Sequence, residues 1–347
     1  MIYQSADELI RIGRKIFEAV GAPSDIADRV TGALVDANLV GHDSHGVIRI
    51  PQYVNAINGG EVLPAARPSI LRETSSTALV DGQWAFGQVS AGFATRLALG
   101  KAEAEGISLV GIVRCNHIGR LGEYSTMATD SGLSLIVVAG GFGGRGQSSV
   151  PFGGAEKLFG TNPISVGIPA GSEAGVLVDF ATTAVAQGKI EVARAKKTPL
   201  PPGSIVDKDG NPSTDPEDYY RGGALLPFGG HKGYALSVMV EFLGRVMTGA
   251  DAFAEGQRGG AVYGHSGVLI VGMNPKVFSP PEQYAEAADE TIRRIKAVTP
   301  APGSSGVMVP GEPEARARAE RSVTGIPIAE DTWDKIGQVA ADLGVAL

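Results

Sequence analysis

The stretch Ile107-Ser108-Leu109-Val110-Gly111-Ile112-Val113 is a short apolar run rich in β-branched residues, which predicts a buried strand. A helical pattern follows over Leu121 to Asp130. The run Leu133-Ser134-Leu135-Ile136-Val137-Val138-Ala139 then predicts a second strand of the same kind. Strand, helix and strand in succession indicate an α/β fold.

Outward from this unit, the N-terminal side is helical. Ser5-Ala6-Asp7-Glu8 is a capping box that begins a helix running toward Ala19, and Ser24-Asp25 begins a second helix. Pro51 is expected to limit any helix after the polar residues 42–45, and the next helix is predicted over Ala91 to Glu105, stopped by Gly106.

The C-terminal side alternates strands and helices, with a turn-rich excursion from Pro199 to Pro216 that predicts a surface loop or short hairpin. Lys232 to Thr248 is predicted as one apolar helix. The other predicted strands are 164–168, 175–180 and 268–271, and the other helices are 184–195, 281–296, 312–320 and 332–343.

Composition narrows the class of protein. The 347 residues include 30 Lys and Arg against 37 Asp and Glu, a net charge of -7 without long single-sign runs, which argues against nucleic acid or an anionic membrane as partner. Cys115 is the single cysteine, which excludes an internal disulfide and fits a reducing compartment. No apolar run reaches membrane-spanning length and the N-terminus lacks a signal-peptide pattern, so we expect a cytoplasmic protein.

Gly141-Phe142-Gly143-Gly144-Arg145-Gly146 matches the G-x-G-x-x-G pattern of dinucleotide-binding Rossmann domains and follows an apolar strand. The third glycine of that fingerprint enters a helix whose N-terminus holds the pyrophosphate. The residues after Gly146 have no helical pattern, so we reject a Rossmann phosphate loop here.

The polar stretch Asp43-Ser44-His45-Gly46-Val47-Ile48-Arg49 is the leading candidate for chemistry. It places an imidazole four residues before a guanidinium, within reach of one small carboxylate substrate. His titrates near neutral pH and can move a proton, whereas Arg can hold a carboxylate bidentately without titrating. A polar cluster that caps backbone donors at the end of a helix is the alternative. His42 and His45 could suggest a metal pair, but no third ligand is indicated, so no metal site is predicted.

Five ordered motifs carry a family resemblance. They are Asp43-Ser44-His45-Gly46, Asn116-His117-Ile118-Gly119-Arg120-Leu121-Gly122, Phe159-Gly160-Thr161-Asn162-Pro163, Val178-Asp179-Phe180-Ala181-Thr182-Thr183 with Gln187-Gly188-Lys189, and Leu226-Pro227-Phe228-Gly229-Gly230-His231-Lys232-Gly233. From about Ala6 to Glu312, the chain resembles the malate/L-lactate dehydrogenase type 2 family. The resemblance implies a non-Rossmann α/β fold, NAD or NADP bound on a largely antiparallel sheet, a homodimer, and active sites close to the subunit interface.

The resemblance also implies residue roles. His45 is the expected proton donor, with Ser44 as its relay partner and Arg49 as a contact to the substrate carboxylate. His117 is a rival for the acid/base role. Asp179 ends a predicted buried strand, where a lone carboxylate is costly unless it is paired, so His45, His117 or the cofactor's carboxamide is its expected partner. Thr161 is an expected substrate contact. The expected cofactor contacts are His117, Ile118, Gly119, Arg120, Leu121, Asp179, Phe180, Ala181, His231, Lys232, Pro310, Gly311 and Glu312.

Three parts of the chain are expected: a helical N-terminal lobe at 1–75 carrying the Asp43 to Arg49 segment, an α/β cofactor-binding domain at 76–275, and C-terminal helices at 276–347 packing back on the N-terminal lobe. The implied reaction interconverts a small 2-hydroxy acid, such as malate, lactate, sulfolactate or ureidoglycolate, with its 2-oxo acid. Arg145 is a candidate to face the bound acid, in a segment where family members vary, so the substrate stays open.

Other functions remain as alternatives. The first is NADPH-dependent reduction of a cyclic imino acid or a diketo sugar acid. Ser44, His45 and Asp179 could instead form a hydrolytic triad, although adjacent Ser and His rarely point at each other suitably and no G-x-S-x-G elbow exists. A non-catalytic ligand-binding protein is the third alternative, because fold does not fix function.

Overall fold

The computed structural model describes residues 1–141 and 146–347, with only the backbone of Ala195 among them. Arg145 and most of the glycine-rich segment discussed above therefore lie outside the described residues. The helices are α1 (Ala6–Ala19), α2 (Ser24–Leu39), α3 (Ile50–Asn58), α4 (Gly87–Glu105), α5 (Gly122–Thr129), α6 (Gln187–Lys196), α7 (Pro216–Tyr220), α8 (His231–Glu241), α9 (Gly260–Tyr263), α10 (Pro281–Lys296), α11 (Glu312–Thr324) and α12 (Glu330–Asp342).

The strands form three sheets. They are β1 (Ile2–Gln4), β2 (Ser69–Glu73), β3 (Thr77–Asp81), β4 (Ile107–Val113), β5 (Ser134–Gly140), β6 (Ile164–Ile168), β7 (Val176–Phe180), β8 (Ile205–Val206), β9 (Pro212–Ser213), β10 (Ala224–Leu225), β11 (Gly267–Met273) and β12 (Ile326–Ile328). The largest sheet has the order β2-β3-β4-β11-β5-β6-β7, in which β3 and β4 are parallel and every other pair is antiparallel. The predicted α/β class with a largely antiparallel sheet is confirmed.

The two strands of the predicted strand-helix-strand unit, β4 and β5, are not neighbours in the sheet. β4 and β5 run parallel to each other, but both pair with β11, which inserts between them from much later in the chain. The helices α4 and α5 cover one face of this sheet. Their contact with the strands buries the core that includes Val110, Ile112, Leu135 and Ile270.

The opposite face of the sheet receives α8 and a short π-helix, Phe242–Val246, that continues it. Small residues permit this contact, because a Cβ on Gly267 would lie 2.1 Å from the carbonyl oxygen of Gly244. The predicted single helix from Lys232 to Thr248 is thus an α-helix that loosens to a π-helix where it meets the sheet.

The two ends of the chain meet. β1 pairs antiparallel with β12, with Ile2 opposite Ile328. A second core joins α1, α2 and α3 to α12, with Ile336 and Ala340 packed among the N-terminal helices. The division of the chain at 75 and 275 stays a prediction.

Several element boundaries differ from the sequence expectation. Pro51 lies in the first turn of α3 and starts that helix rather than limiting it, since proline lacks only an N–H that a first turn leaves unpaired anyway. Helix α4 begins at Gly87, four residues before the predicted start at Ala91. The excursion after Pro199 forms the hairpin β8–β9, which β10 joins.

Candidate active site

The segment around His45 is a tight turn after α2. It consists of two short 3-10 turns, Asp43–His45 and Val47–Arg49. Asn38 holds both turns, because its Nδ2 donates to Asp43 Oδ1 at 2.7 Å and its Oδ1 accepts the Val47 N–H at 2.8 Å. A Cβ on Gly46 would lie 2.1 Å from Asn38 Oδ1, so the glycine of the motif leaves room for this clamp.

His45 and Arg49 are brought together through Ser44. Ser44 Oγ lies 3.0 Å from His45 Nδ1, and Arg49 Nε donates to the Ser44 carbonyl oxygen at 2.6 Å. Arg49 Nη1 also donates to Gln52 Oε1 at 2.6 Å. Since a guanidinium has five N–H groups, these two bonds leave the Nη2 group of Arg49 for a ligand.

His117 follows β4 and faces His45. The two imidazole rings are nearly parallel, with centroids 5.6 Å apart. The hydroxyl of Tyr53 lies 2.7 Å from His117 Nδ1 and also accepts a 2.7 Å hydrogen bond from Gln88 Nε2. Because the amide N–H of Gln88 donates to the phenol oxygen, the phenol O–H is the donor in the contact with His117 Nδ1. A neutral imidazole that accepts a hydrogen bond at Nδ1 carries its proton on Nε2.

Both histidines are held neutral at neutral pH. Burial, followed by the positive charge of Arg49, lowers the pKa of His45 to about 3. Burial and Arg49 also lower the pKa of His117 well below its ordinary value. A neutral imidazole can accept a proton at one ring nitrogen and donate a hydrogen bond from the other, so the pair can act as base and donor together.

Asp179, at the end of β7, has partners other than the histidines. Its Oδ2 accepts the N–H of Gly122, the first residue of α5, at 2.7 Å, and lies 4.0 Å from Arg120 Nη1. Burial raises the pKa of Asp179 even though the Gly122 bond opposes the shift. The carboxylate therefore caps α5, a contact that differs from the His45 contact a hydrolytic triad would need.

The segment from Ile118 to Leu121 leads into α5 and is buried. Gly119 adopts a φ of +78°, and the Ile118 carbonyl oxygen accepts a hydrogen bond from the Tyr124 hydroxyl. Arg120 donates from Nη2 to Asp36 at 3.0 Å, whereas its Nε and Nη1 are buried without a hydrogen-bond partner among the described residues.

Thr161 and Ala181 lie on adjoining segments. The carbonyl oxygen of Thr161 accepts hydrogen bonds from Thr182 N at 2.9 Å and Thr182 Oγ1 at 3.0 Å. Phe180 is 39 % exposed and packs edge-on against Phe228, with ring centroids 5.4 Å apart. The start of α6, which follows β7, also approaches the first motif, since a Cβ on Gly188 would lie 3.4 Å from Ser44 Cβ.

The remaining predicted cofactor contacts lie at helix starts. His231 and Lys232 are exposed at the beginning of α8, after Gly229 and Gly230, whose φ angles are +58° and +63°. The Pro310 carbonyl oxygen accepts the N–H of Leu177 in β7 at 3.0 Å. Gly311 begins α11, and Glu312 pairs with Lys296 at 2.6 Å.

A cavity of about 500 Å³ opens beside His117. His117, Tyr53 and Tyr263 form part of its wall, and the ring centroids of His117 and Tyr263 are 5.8 Å apart. Arg49 lies close enough for its charge to lower the pKa of both tyrosines, although burial dominates and raises them. A small acid bound at Arg49 would thus have space to extend past His117.

Tyr53, Gln88 and Tyr263 were not predicted as site residues. Tyr53 lies one helical turn after Arg49, and this spacing could have revealed it had Pro51 been interpreted as a helix start. Gln88 lies in the first turn of α4, before the predicted beginning of that helix. Tyr263 lies in α9, a four-residue helix with no periodic signal in the sequence.

Other site classes find little support in the described residues. Within 1–141 and 146–347, no group of three or more His, Cys, Asp or Glu side chains could hold a metal ion. His42 faces Glu314, with Nε2 3.3 Å from Oε1, so it is directed away from a metal pair with His45. None of the helices in this part of the chain is long and apolar enough to cross a bilayer.

A mostly antiparallel sheet covered on both faces, with two neutral histidines beside an arginine, defines a class of α/β oxidoreductases distinct from Rossmann dehydrogenases. The chain belongs to the malate/L-lactate dehydrogenase family, whose sequence model matches residues 4–337. It is 36% identical to L-sulfolactate dehydrogenase of Methanothermobacter thermautotrophicus over 346 residues, covering 99% of this chain and 98% of that protein.

Solved structures give the same result. The sulfolactate dehydrogenase of Methanocaldococcus jannaschii superposes with a TM-score of 0.89 at 32% identity, covering 99% of this chain and 98% of that one. The delta1-piperideine-2-carboxylate reductase of Pseudomonas syringae superposes with a TM-score of 0.85 at 31% identity, covering 98% and 100%. The predicted family is therefore confirmed.

Proposed function

We propose that this protein is a nicotinamide-dependent dehydrogenase that interconverts a small 2-hydroxy acid and its 2-oxo acid, with His45 as the acid/base. The observation that carries the proposal is the stacked pair of neutral histidines, His45 and His117, with Arg49 bound next to His45 and a cavity that opens beside His117. Alcohol oxidation needs a base for the hydroxyl proton, and a carboxylate substrate needs a cation to orient it.

Arg49 would bind the substrate carboxylate through its Nη2 group, since its other contacts hold the guanidinium in place. His45 would donate its Nδ1–H to Ser44, which leaves the Nε2 lone pair to take the substrate hydroxyl proton. In the reverse direction the same nitrogen returns that proton to the carbonyl oxygen as it is reduced.

His117 has a different role in this proposal. Its Nε2–H, set by Tyr53 and Gln88, would donate a hydrogen bond to the reacting oxygen and stabilise the negative charge that develops there. Burial lowers the pKa of His117, so the ring donates this bond as a neutral group. The rivalry between the histidines becomes a division of roles.

A nicotinamide cofactor, NAD or NADP, would accept or supply the hydride when bound. The Nε and Nη1 of Arg120, which have no hydrogen-bond partner among the described residues, fit an acceptor such as a carboxamide or phosphate oxygen. The exposed ring of Phe180 fits an aromatic partner, and His231 and Lys232 at the start of α8 fit a phosphate. We propose these residues, with Ile118 to Leu121, Asp179 and Pro310 to Glu312, as the cofactor contacts.

The proposal extends to assembly and location. Four exposed apolar side chains lie along α8, the π-helix and the residue that follows it, and they support a homodimer: Met239, Phe242, Val246 and Met247. The buried free thiol of Cys115 supports a reducing, cytoplasmic location. The partner expected besides the cofactor is a small carboxylate, and not nucleic acid or a membrane. Light scattering on the purified protein tests the dimer.

An assay of reduced-cofactor oxidation with a panel of substrates tests the proposed dehydrogenase activity. Oxaloacetate, pyruvate, sulfopyruvate and a cyclic imino acid are each added to the protein with NADH and then with NADPH, and the reduced-cofactor absorbance is followed. We expect the absorbance to fall with at least one 2-oxo acid. The cyclic imino acid is included because of the similarity to the piperideine-carboxylate reductase; turnover of that substrate alone would replace the hydroxy-acid assignment.

Two variants separate the roles. His45→Gln should lower kcat by at least about 100-fold, as expected for loss of a general base, while cofactor binding measured by fluorescence persists. His265→Gln is the matched control, because His265 pairs with Asp251 at 2.9 Å outside these contacts and should leave turnover unchanged. Absence of turnover across the panel, with cofactor still bound, would favour a non-catalytic binding protein.

A further inference from the structure

The cavity beside His117 carries acidic and acceptor groups that the reaction itself does not use. Glu61 lines the cavity, and among the described residues its carboxylate has neither an ion pair nor a hydrogen-bond donor. Gln88 also lines it. Its Nε2 is bound to Tyr53, but its Oε1 is buried with no partner in the described part of the chain. A buried acceptor without a donor is costly and marks a place where a ligand donor fits.

The described residues of the same wall carry no lysine or arginine charge. Arg49 lies at its histidine side, where the proposed function engages it with the substrate carboxylate. Arg258 is engaged by the residue before Glu61 in the chain, since its Nη1 donates to the Gly60 carbonyl oxygen. The side chains Gln52, Asn55 and Asn116 complete a polar but uncharged lining apart from Glu61.

We propose that this cavity receives the end of the substrate opposite the reacting carboxylate, and selects an uncharged hydrogen-bond donor there over a second anionic group. The inference rests on the proposed function for the placement of the substrate. A carboxamide or hydroxyl can donate to Glu61 and to Gln88 Oε1. A second carboxylate or sulfonate would face Glu61 with no Lys or Arg among the described lining residues to compensate its charge.

The expected preference follows from these contacts. A site built to form hydrogen bonds with a ligand discriminates strongly against an analogue that leaves its buried groups unpaired. Repulsion between two carboxylates in a partly buried cavity acts in the same direction. We expect at least about a tenfold preference for the amide over the acid of equal size.

Matched pairs of 2-oxo acids test this proposal. Oxaloacetate is compared with its 4-amide, and 2-oxoglutarate with its 5-amide, because each pair differs by one charge and hardly in shape. Binding to the full-length protein is measured by calorimetry without cofactor, and kcat/KM is measured with NADH and NADPH. The calorimetric arm needs no turnover, so it decides this inference even if the proposed reaction fails.

A variant that removes the charge of Glu61 tests whether this residue causes the preference for the amide. Glu61→Gln should reduce the amide-to-acid ratio by at least about fivefold, mainly through tighter binding of the dianion. Glu282→Gln is the control of equal charge, since Glu282 is exposed at the start of α10. It should leave the ratio unchanged.

The outcomes are distinct. Tighter binding of both amides, with the ratio reduced in Glu61→Gln alone, supports the proposal. Equal or tighter binding of the dianions overturns it, and so does binding of neither member of a pair. A preference that Glu61→Gln and Glu282→Gln change equally would also overturn it, because long-range charge would then explain the selection. Turnover of no 2-oxo acid refutes the proposed function separately.

Discussion

Replacing Tyr53 by Phe removes one oxygen atom and two hydrogen bonds of 2.7 Å, one to His117 Nδ1 and one from Gln88 Nε2. The side chain is only 5 % exposed, so water cannot easily replace these bonds. Each lost bond costs about 1 kcal/mol net, and leaving buried partners unpaired costs about 1–3 kcal/mol more. The free energy of unfolding should therefore fall by about 3–5 kcal/mol.

The same substitution should alter catalysis through His117. Without the phenol, Nδ1 no longer accepts a fixed proton, and the Nε2–H form is no longer enforced. We expect kcat to fall roughly 10- to 100-fold, about 1.4–2.7 kcal/mol of barrier, with little change in KM. A donor that acts mainly in the transition state produces this split, whereas a loosened binding site would raise KM.

Three measurements check the reasoning on Tyr53. Urea unfolding gives the stability change, steady-state kinetics give kcat and KM, and nitrogen NMR of labelled imidazoles reports which ring nitrogen of His117 carries the proton. Tyr3→Phe removes the same oxygen from a side chain that is 62 % exposed, and should change stability by less than about 0.5 kcal/mol. A Tyr53→Phe protein with wild-type kcat and an unchanged His117 tautomer would refute the role assigned to the phenol.

Three further predictions concern charge and packing. Because the pKa of His45 is lowered to about 3, the imidazole is neutral at neutral pH, and kcat/KM for oxidation should be flat from about pH 6 to 8. In the same range kcat/KM for reduction should fall about tenfold per pH unit, because protonated imidazole becomes scarcer. Initial rates in both directions check this. Gly46→Ala should destabilise the protein by about 2–3 kcal/mol in urea unfolding, because its Cβ would displace Asn38. Hydrogen bonds from Ser172 lower the pKa of Asp289 in the folded state, so the ionised carboxylate stabilises the fold above about pH 4. Asp289→Asn should therefore destabilise the protein above that pH, and the difference from wild type should disappear as acid protonates Asp289. Thermal unfolding at a series of pH values measures this difference.

Local patterns predicted individual elements well and their assembly poorly. Both bounds of β4 and of α10 follow from the sequence, because an apolar run and a proline-started amphipathic stretch define their own ends. The position of β11 between β4 and β5 depends on pairing with strands far away in the chain. Nothing in the apolar residues 268–271 encodes a place at the centre of the sheet.

The sequence predicted the site residues that share one short segment, but it did not predict those that tertiary packing brings to the site. His45 and Arg49 share a seven-residue stretch, so their relation is visible in the sequence. Gly87, in the first turn of α4, weakens the helical pattern that would have revealed Gln88. The structure needs that glycine, because a Cβ there would lie 2.1 Å from the His117 carbonyl oxygen.

Sequence alone favoured His45 as the proton donor but left His117 as a rival, because the roles of two histidines cannot be separated until their partners are known. Their partners differ in kind. His45 contacts a serine hydroxyl that can accept or donate, whereas His117 contacts a phenol whose oxygen already accepts from Gln88 and whose proton is therefore donated to Nδ1. A ring fixed as a donor cannot serve equally well as a base. The proposed division of roles therefore depends on Tyr53 and Gln88, and relatives that keep both histidines but change these two residues should show a different balance between them.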